Sequence, residues 1–362
     1  MPKILPLALA VAVVASLMAG AAPAQADTAR LGNDVSAPQC RGTVPTALPA
    51  PPAFAILGVN GGVANTSNPC LAAQLAWAQT ARGGTKQPII SFYVNTANPG
   101  LAASWWPATN QTQPATDVPR TPVTVANPYG LCTGLADAAC AYVYGYSMAL
   151  DDTTIRGVPV PGSQFWWLDV ETINTWSTDK VANRASLEGM AAQLQSIGAT
   201  VGLYSTNTHW FEIVGSVPKG TRLDPLPSWV ALGPVSEKSA TKGCGGVPLT
   251  NGGRIAVTQF VAGGFDYDVS CLTFTSRPKA KVVGAAKVGK KLTVKTGSWH
   301  PSGVKITYRW YRNGVPITKA VHAKYTLKKV DGGTKITVTV TAKKAGYSTV
   351  AKTSTAKKIA KK

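Results

Sequence analysis

Histidine is scarce in this chain: His209, His300 and His322 are the only three in 362 residues. No Cys-x-x-Cys accompanies them, so the usual ligand spacings of structural zinc are missing. Only His209 precedes residue 277, and there is no Gly-x-Ser-x-Gly, which argues against a Ser/His/Asp hydrolase. A nucleotide-binding glycine loop is also lacking. After residue 26 no apolar run reaches the ~20 residues needed to cross a bilayer, which excludes a multi-span membrane protein once a leader is removed. Acids nearly vanish from the end of the chain. Between Arg277 and Lys362 there are 22 Lys and Arg but a single carboxylate, Asp331.

The 45% of hydrophobic residues is ordinary for a folded protein and excludes wholesale disorder. Residues 1–26 read as an export leader: Lys3, then an apolar run from Ile4 to Ala22, then the small-x-small site Ala24-Gln25-Ala26. The expected product is secreted, extracellular or wall-associated. Export suits the six cysteines (Cys40, Cys70, Cys132, Cys140, Cys244, Cys271), an even number that suggests three disulfides. Sequence cannot choose among their 15 pairings; nearest-neighbour pairing is the working expectation. Residues 27–276 hold 13 Lys and Arg against 15 acids, close to neutral, before the basic tail begins. That shift, at Ser276-Arg277-Pro278-Lys279, is the expected domain boundary.

The tail, 277–362, reads as all-β: short β-branched or alternating runs such as Lys305 to Tyr311 and Lys335 to Ala342, separated by Pro301-Ser302-Gly303, Asn313-Gly314 and Asp331-Gly332-Gly333. Asn313-Gly314 is a hairpin signal, and Trp310 is the candidate core residue. The run resembles bacterial immunoglobulin-like sandwich modules, although it has no cysteine pair; a solubilising spacer is the rival reading. The closing Lys357-Lys358-Ile359-Ala360-Lys361-Lys362 is expected to fray. A surface this basic favours polyanions. Export and sparse aromatics argue against nucleic acid, leaving anionic cell-wall polymers or the carboxylates of peptidoglycan.

In residues 27–276, strand-like runs (54–60, 88–94, 165–170, 200–204, 228–232, 255–260) alternate with helix-like stretches (69–82, 136–150, 180–197). This order implies a mainly parallel sheet, and about 250 residues suit a TIM-like (β/α) barrel with chemistry at the C-terminal strand ends. A long loop, Gly100 to Cys132, should lie beside that face. Phe165-Trp166-Trp167-Leu168-Asp169-Val170-Glu171 is an apolar strand ending in two acids. By strand alternation Asp169 and Glu171 face the same way, roughly 6–7 Å apart along the backbone. Asp34 follows an early strand, and Asp266 and Asp268 fall on a late one, again at period two. First and last strands of a closed barrel are neighbours, so these acids can share one site, with Asp151 and Asp152 near the same face. Crowded carboxylates raise one another's pKa, and glycosidic bond cleavage needs one protonated and one ionised carboxyl.

The ordered set of motifs resembles glycoside hydrolase family 25, the muramidase-type lysozymes that cleave bacterial peptidoglycan. Asn33-Asp34-Val35-Ser36 is similar to that family's opening Asp-Val-Ser, and Leu168-Asp169-Val170-Glu171 to its central Asp-x-Glu. Gly202-Leu203-Tyr204-Ser205, Ser228-Trp229-Val230-Ala231, Gln259 and Phe265-Asp266-Tyr267-Asp268 follow in order, so the likeness spans residues 29–272. The resemblance implies Glu171 as general acid/base and Asp169 as transition-state stabiliser, either as nucleophile or by orienting the substrate's N-acetyl group. Asp34 and Asp266 would shape the acidic pocket. Tyr93, Tyr204, Trp229, Trp176, Asp268 and Gln259 would bind sugar, with Trp166 and Trp167 left to the core. No metal or organic cofactor is implied. The chain departs from the family where Ala37-Pro38-Gln39-Cys40 replaces a Trp-Gln-Gly and Tyr93-Val94-Asn95 replaces an aromatic-His pair, as in a divergent branch. The reading that follows is an exported wall glycosidase of N-acetylmuramidase type; the alternative is a non-catalytic glycan-binding protein on the same barrel.

Overall fold

Eight strands close into a barrel in the computed structural model, which describes residues 31–113, 121–274, 278–344 and 346–361. The expected leader and the boundary at Ser276-Arg277 lie outside the described residues. In chain order come β1 (Leu31–Val35), β2 (Cys40–Arg41), β3 (Val44–Pro45), β4 (Ala55–Gly58), α1 (Leu71–Ala78), β5 (Ile90–Asn95), α2 (Ala138–Thr154), β6 (Phe165–Asp169), α3 (Lys180–Ser196), β7 (Thr200–Ser205), α4 (Asn207–Ile213), β8 (Ser228–Ala231), α5 (Glu237–Gly243), β9 (Ile255–Ala262) and β10 (Phe265–Ser270). Around the barrel the order is β1-β10-β9-β8-β7-β6-β5-β4, with β4 pairing back to β1. The inner strands are almost wholly buried, as their unbroken apolar runs require when helices cover the outer face.

One departure from a regular alternation positions the site. Gly263 and Gly264, with φ of 58° and 80°, make a tight turn after Ala262, the backbone that a two-residue hairpin needs. The chain therefore returns as β10 antiparallel to both β9 and β1, and seven parallel strands are closed by one reversed strand. Helix α2 packs on α3 and runs in the same direction, as Thr153 near its end accepts from Gln193 Nε2 near the end of α3 at 3.2 Å. Gly145 lies against Ser186 and Gly189 against Tyr142, so closely that a Cβ on either glycine would overlap a backbone carbonyl of the other helix. The short helices α4 and α5 escape the sequence reading because seven residues show little periodicity; Thr206 and Ser236 cap them.

All three disulfides follow nearest-neighbour pairing: Cys40–Cys70, Cys132–Cys140 and Cys244–Cys271.

The tail has its own core. Its strands are β11 (Lys281–Val283), β12 (Lys291–Lys295), β13 (Lys305–Arg312), β14 (Val315–Pro316), β15 (Lys324–Thr326), β16 (Lys335–Lys343), β17 (Val350–Thr353) and β18 (Lys357–Lys358). A three-stranded sheet, β11-β12-β15, and a five-stranded one around β13 and β16 enclose Trp310, Leu292, Ile336 and Val338. Asn313 and Gly314 form the β13–β14 turn at positive φ, as the hairpin signal implies. The expected fraying at the end is corrected: β18 pairs with β16, and Ile359 is 1% exposed in the tail core. Burying one Ile is worth about 2 kcal/mol, enough to hold a short lysine-flanked strand.

Barrel and tail are stitched together. Leu272 N–H donates to Gly346 O and Ser348 N–H to Leu272 O, both at 2.8 Å. Thr349 Oγ1 donates to Gly245 O at 2.7 Å, and Gly346 N–H to Thr241 O at 3.0 Å.

Candidate active site

Strand register builds the site as a ring. Asn95 pairs with Asp169, Asp169 with Tyr204, and Tyr204 with Trp229. Across the reversed strand, Ala231 pairs with Gln259, Gln259 with Asp268, and Asp266 with Asp34. Because strand side chains alternate, the residues aimed inward at this level converge on the C-terminal mouth. They line a cavity of about 360 Å³ with Asp34, Asp169, Glu171 and Asp266 around it and Tyr93, Tyr204, Trp229 and Gln259 among its walls. Gly58 makes room on the β4 side, where a Cβ would strike the Tyr93 ring.

Each carboxylate is held differently. Asp34 accepts from Gln259 Nε2 at 2.8 Å, and Gln259 Oε1 accepts from Tyr204 OH at 2.9 Å. Burial, and then the neighbouring Asp266 charge, push Asp34 up to about 7. Asp169 Oδ2 accepts from Asn95 Nδ2 at 2.8 Å, while Oδ1 has no hydrogen-bond partner. Its carboxyl lies well above the usual range, first through burial and then through Glu171 and Asp34. Glu171, just beyond β6, is only half-buried; desolvation raises it, against the pull of His209 and with the push of Asp266. Burial raises half-exposed Asp266 as well, and Asn33 Nδ2 fixes its backbone carbonyl at 2.7 Å. Four such carboxyls around one small cavity cannot all be ionised. The ring therefore holds protons into the range where free carboxylates have lost theirs, which is the requirement for a carboxylic proton donor.

Two of the sequence-derived residues stand outside the cavity. Trp176 is half-buried against the core, and its Nε1 donates to the Glu171 carbonyl oxygen at 2.9 Å, so it braces the acid's backbone. Asp268 lies one turn of the pleat deeper than Asp266, fully buried, with no partner for either oxygen and its pKa pushed well up by burial and then by Asp34. Trp229 forms a wall but is 1% exposed, its ring 4.2 Å from that of Tyr204. Trp166 and Trp167 are core residues.

Asn95, His209 and Ser36 were not among the residues singled out from sequence. Asn95 is the hydrogen-bond donor to Asp169, and its own backbone N–H donates to Asn60 Oδ1 at 2.7 Å. Asn60 Nδ2 reaches Asp152 Oδ1 at 3.2 Å, which the buried Arg156 holds at 2.6 Å. The signal for Asn95 was its place on a strand end beside Asp169; an asparagine there carries no chemistry of its own to draw notice. His209, on α4, brings a potential positive charge beside Glu171, and Ser36 lines the cavity next to Tyr93. Among the described residues no cluster of His, Cys, Asp and Glu is arranged to hold a metal ion.

Residues 162–241, from before β6 to the end of α5, match the family model described as Lysozyme-like protein 1. The chain is 40% identical over 65 residues to the probable GH family 25 lysozyme 4 of Dictyostelium discoideum, covering 18% of this chain and 29% of that protein. It is 43% identical over 49 residues to lysozyme-like protein 5 of Caenorhabditis elegans, covering 14% and 22%. The matched segments thus span less than a third of either relative. Similar solved structures include a family GH25 lysozyme from Aspergillus fumigatus (TM-score 0.39, 11% identity, 67% of this chain and 94% of that one). Another is the bacterial lysozyme from Streptomyces coelicolor (TM-score 0.38, 17% identity, 67% and 91%). By the family-model match and the Dictyostelium and Caenorhabditis relatives, the barrel carries a lysozyme-like segment similar in sequence to a glycoside hydrolase family 25 lysozyme.

Proposed function

We propose that this protein is an exported cell-wall glycosidase that hydrolyses the glycan strands of peptidoglycan, of N-acetylmuramidase type. The observation that carries the reading is the cavity ringed by Asp34, Asp169, Glu171 and Asp266 at the mouth of the barrel. Glu171 is the general acid/base. It is less buried than Asp169 and its pKa is raised, so it can meet a glycosidic oxygen with its proton in place and later take a proton from water. Asp169, in its ionised form, stabilises the positive charge that develops on the sugar ring. It acts either as nucleophile or by orienting the substrate's N-acetyl group; Asn95 favours its charged form. Asp34 and Asp266 keep the proton on Glu171 through mutual repulsion. Tyr93, partly exposed, offers a ring on which a pyranose packs, backed by the buried rings of Tyr204 and Trp229.

Secretion is part of the proposal. Three disulfides suit an oxidising compartment, and among the described residues no helix is long and apolar enough to cross a membrane. The basic tail, proposed as a separate domain, would hold the enzyme on anionic wall polymers.

The test is release of reducing ends from purified peptidoglycan by wild type, Glu171→Gln and Asp169→Asn, with wall sedimentation in parallel. Losing a positioned general acid costs about 10²–10⁴-fold, and Glu171→Gln should lose about 10³-fold while still binding. Binding without release in the wild type, unchanged in both variants, would leave a glycan-binding protein and no enzyme.

A further inference from the structure

The rim of the cavity leads into a second, chemically opposite groove. Ala231 and Gly233 line the acidic cavity, whereas Leu232 between them, with Val235 beyond, lines a groove of about 870 Å³ along α5. Its apolar floor is the barrel flank, and its far wall is the tail. Lys242 from α5 and Lys305, Lys343 and Lys344 from the tail surround it. Lys305 and Lys343 are directly opposite each other on β13 and β16, an arrangement that like charges disfavour. None of the four is ion-paired among the described residues; Lys344 Nζ donates to the Ser302 carbonyl at 3.0 Å. The one acid of α5, Glu237, lines a different cavity.

A polymer threaded through an acidic cavity must present an uncharged stretch there and keep its anions elsewhere. The lysine groove is one rim residue away. Resting on the glycosidase reading above, we propose that this groove receives the carboxylate-bearing peptide branches of the strand whose sugar backbone occupies the cavity. Adjacency selects this occupant over a separate phosphate polymer: anions that must be met next to the cavity are those attached to the sugars being held in it. The preferred substrate is then peptide-substituted glycan, and the tail is a part of the substrate site as well as an anchor.

The experiment uses the full chain in the Glu171→Gln background, so that strands stay intact, and measures sedimentation with insoluble glycan before and after an amidase strips the peptides. Three surface charge contacts at up to ~1 kcal/mol each support a loss of about tenfold in affinity on stripping. The triple variant K242A/K305A/K343A should no longer distinguish the two materials. K287A/K290A/K291A, with the same charge removed on the other sheet, should still distinguish them. The difference should fade in ~1 M salt, where the screening length is ~3 Å. The proposal is overturned if the groove variant still discriminates, if both triples lose equally, or if affinity follows removal of wall phosphate polymers and not of peptides. Failure of the wild type to release reducing ends would sink the glycosidase reading alone, since peptide-dependent binding is scored without turnover.

Discussion

Asp331 in the tail and Asp268 in the barrel are both fully buried carboxylates, and they are treated in opposite ways. Asp331 accepts from Arg312 Nε at 2.6 Å, Tyr325 OH at 2.9 Å and the Lys328 N–H at 2.6 Å. It ties β13, β15 and the turn before β16 into one knot. Asp224 on the barrel flank is likewise satisfied, by the backbone N–H groups of Gly220 and Gly252. Asp268 has no partner on either oxygen, and Asp169 none on Oδ1. Buried polar groups are normally paired because an unpaired one costs free energy. Where the protein needs an acid for stability it surrounds it with donors. At the cavity and beneath it donors are fewer: Asp34 has Gln259, Asp169 has Asn95 and Asp268 has none, and burial raises all three carboxyls. The contrast distinguishes fully paired acids from those of the proposed site.

The largest effect that tests this contrast is on stability. Asp331→Ala strands a buried tyrosine hydroxyl and the Arg312 guanidinium, and should cost about 4 kcal/mol. Asp268→Asn removes no hydrogen bond and should stay within about 1 kcal/mol at pH 7. Urea unfolding of the whole chain measures both; equal losses would dissolve the distinction. A smaller effect is on pH dependence. Asp34 is raised from 3.8 to about 7 in the folded state, so between those values the folded protein binds the extra proton. Its contribution is fully present below about pH 4 and is lost as pH rises through about 7, with a slope of at most about 1.4 kcal/mol per pH unit. Asp34→Asn should flatten the stability curve over that window. Unfolding series at pH 4.5, 6 and 7.5 for both proteins decide it, and parallel curves would mean that Asp34 is not protonated by burial.

Much of the barrel was legible because its strands are short, mostly apolar runs, one of which, β6, ends in an acid. Phe165-Trp166-Trp167-Leu168-Asp169 reads as a buried parallel strand in any context, and closing the sheet brought Asp34 beside Asp266, as the register confirms. Direction was harder to read. Nothing in the alternation of β10 reveals that it runs antiparallel to both β9 and β1; the tight turn at Gly263 and Gly264 decides it. The tail's end was misjudged because Lys357-Lys358-Ile359-Ala360-Lys361-Lys362 is charged on average, whereas a single Ile decides its fate. Trp176 was drawn into the site by the family resemblance, and Asp268 by that resemblance together with its period-two spacing from Asp266. Spacing fixes which way a side chain points from the backbone, but not how deep in the barrel it ends.

Asn95 provides the finest test, because its side chain donates to the Asp169 carboxylate and so is the counterpart of Arg312 on Asp331. Its amide is aimed by Asn60, and Asn60 by the Asp152–Arg156 pair, so the strand end is fixed by a chain of bonds anchored in a buried salt bridge. One hydrogen bond to the charged form, worth about 1 kcal/mol, shifts a carboxyl by nearly one pH unit. Asn95→Ala therefore lets burial act unopposed, and the acid limb of kcat/KM on peptidoglycan should move to higher pH by about that much, with little change in the unfolding midpoint. Arg312→Gln should do the reverse, lowering stability and leaving the pH profile where it was. If both substitutions act on stability alone, Asn95 is one more structural partner, and the donors around the cavity are no different in kind from those of the tail.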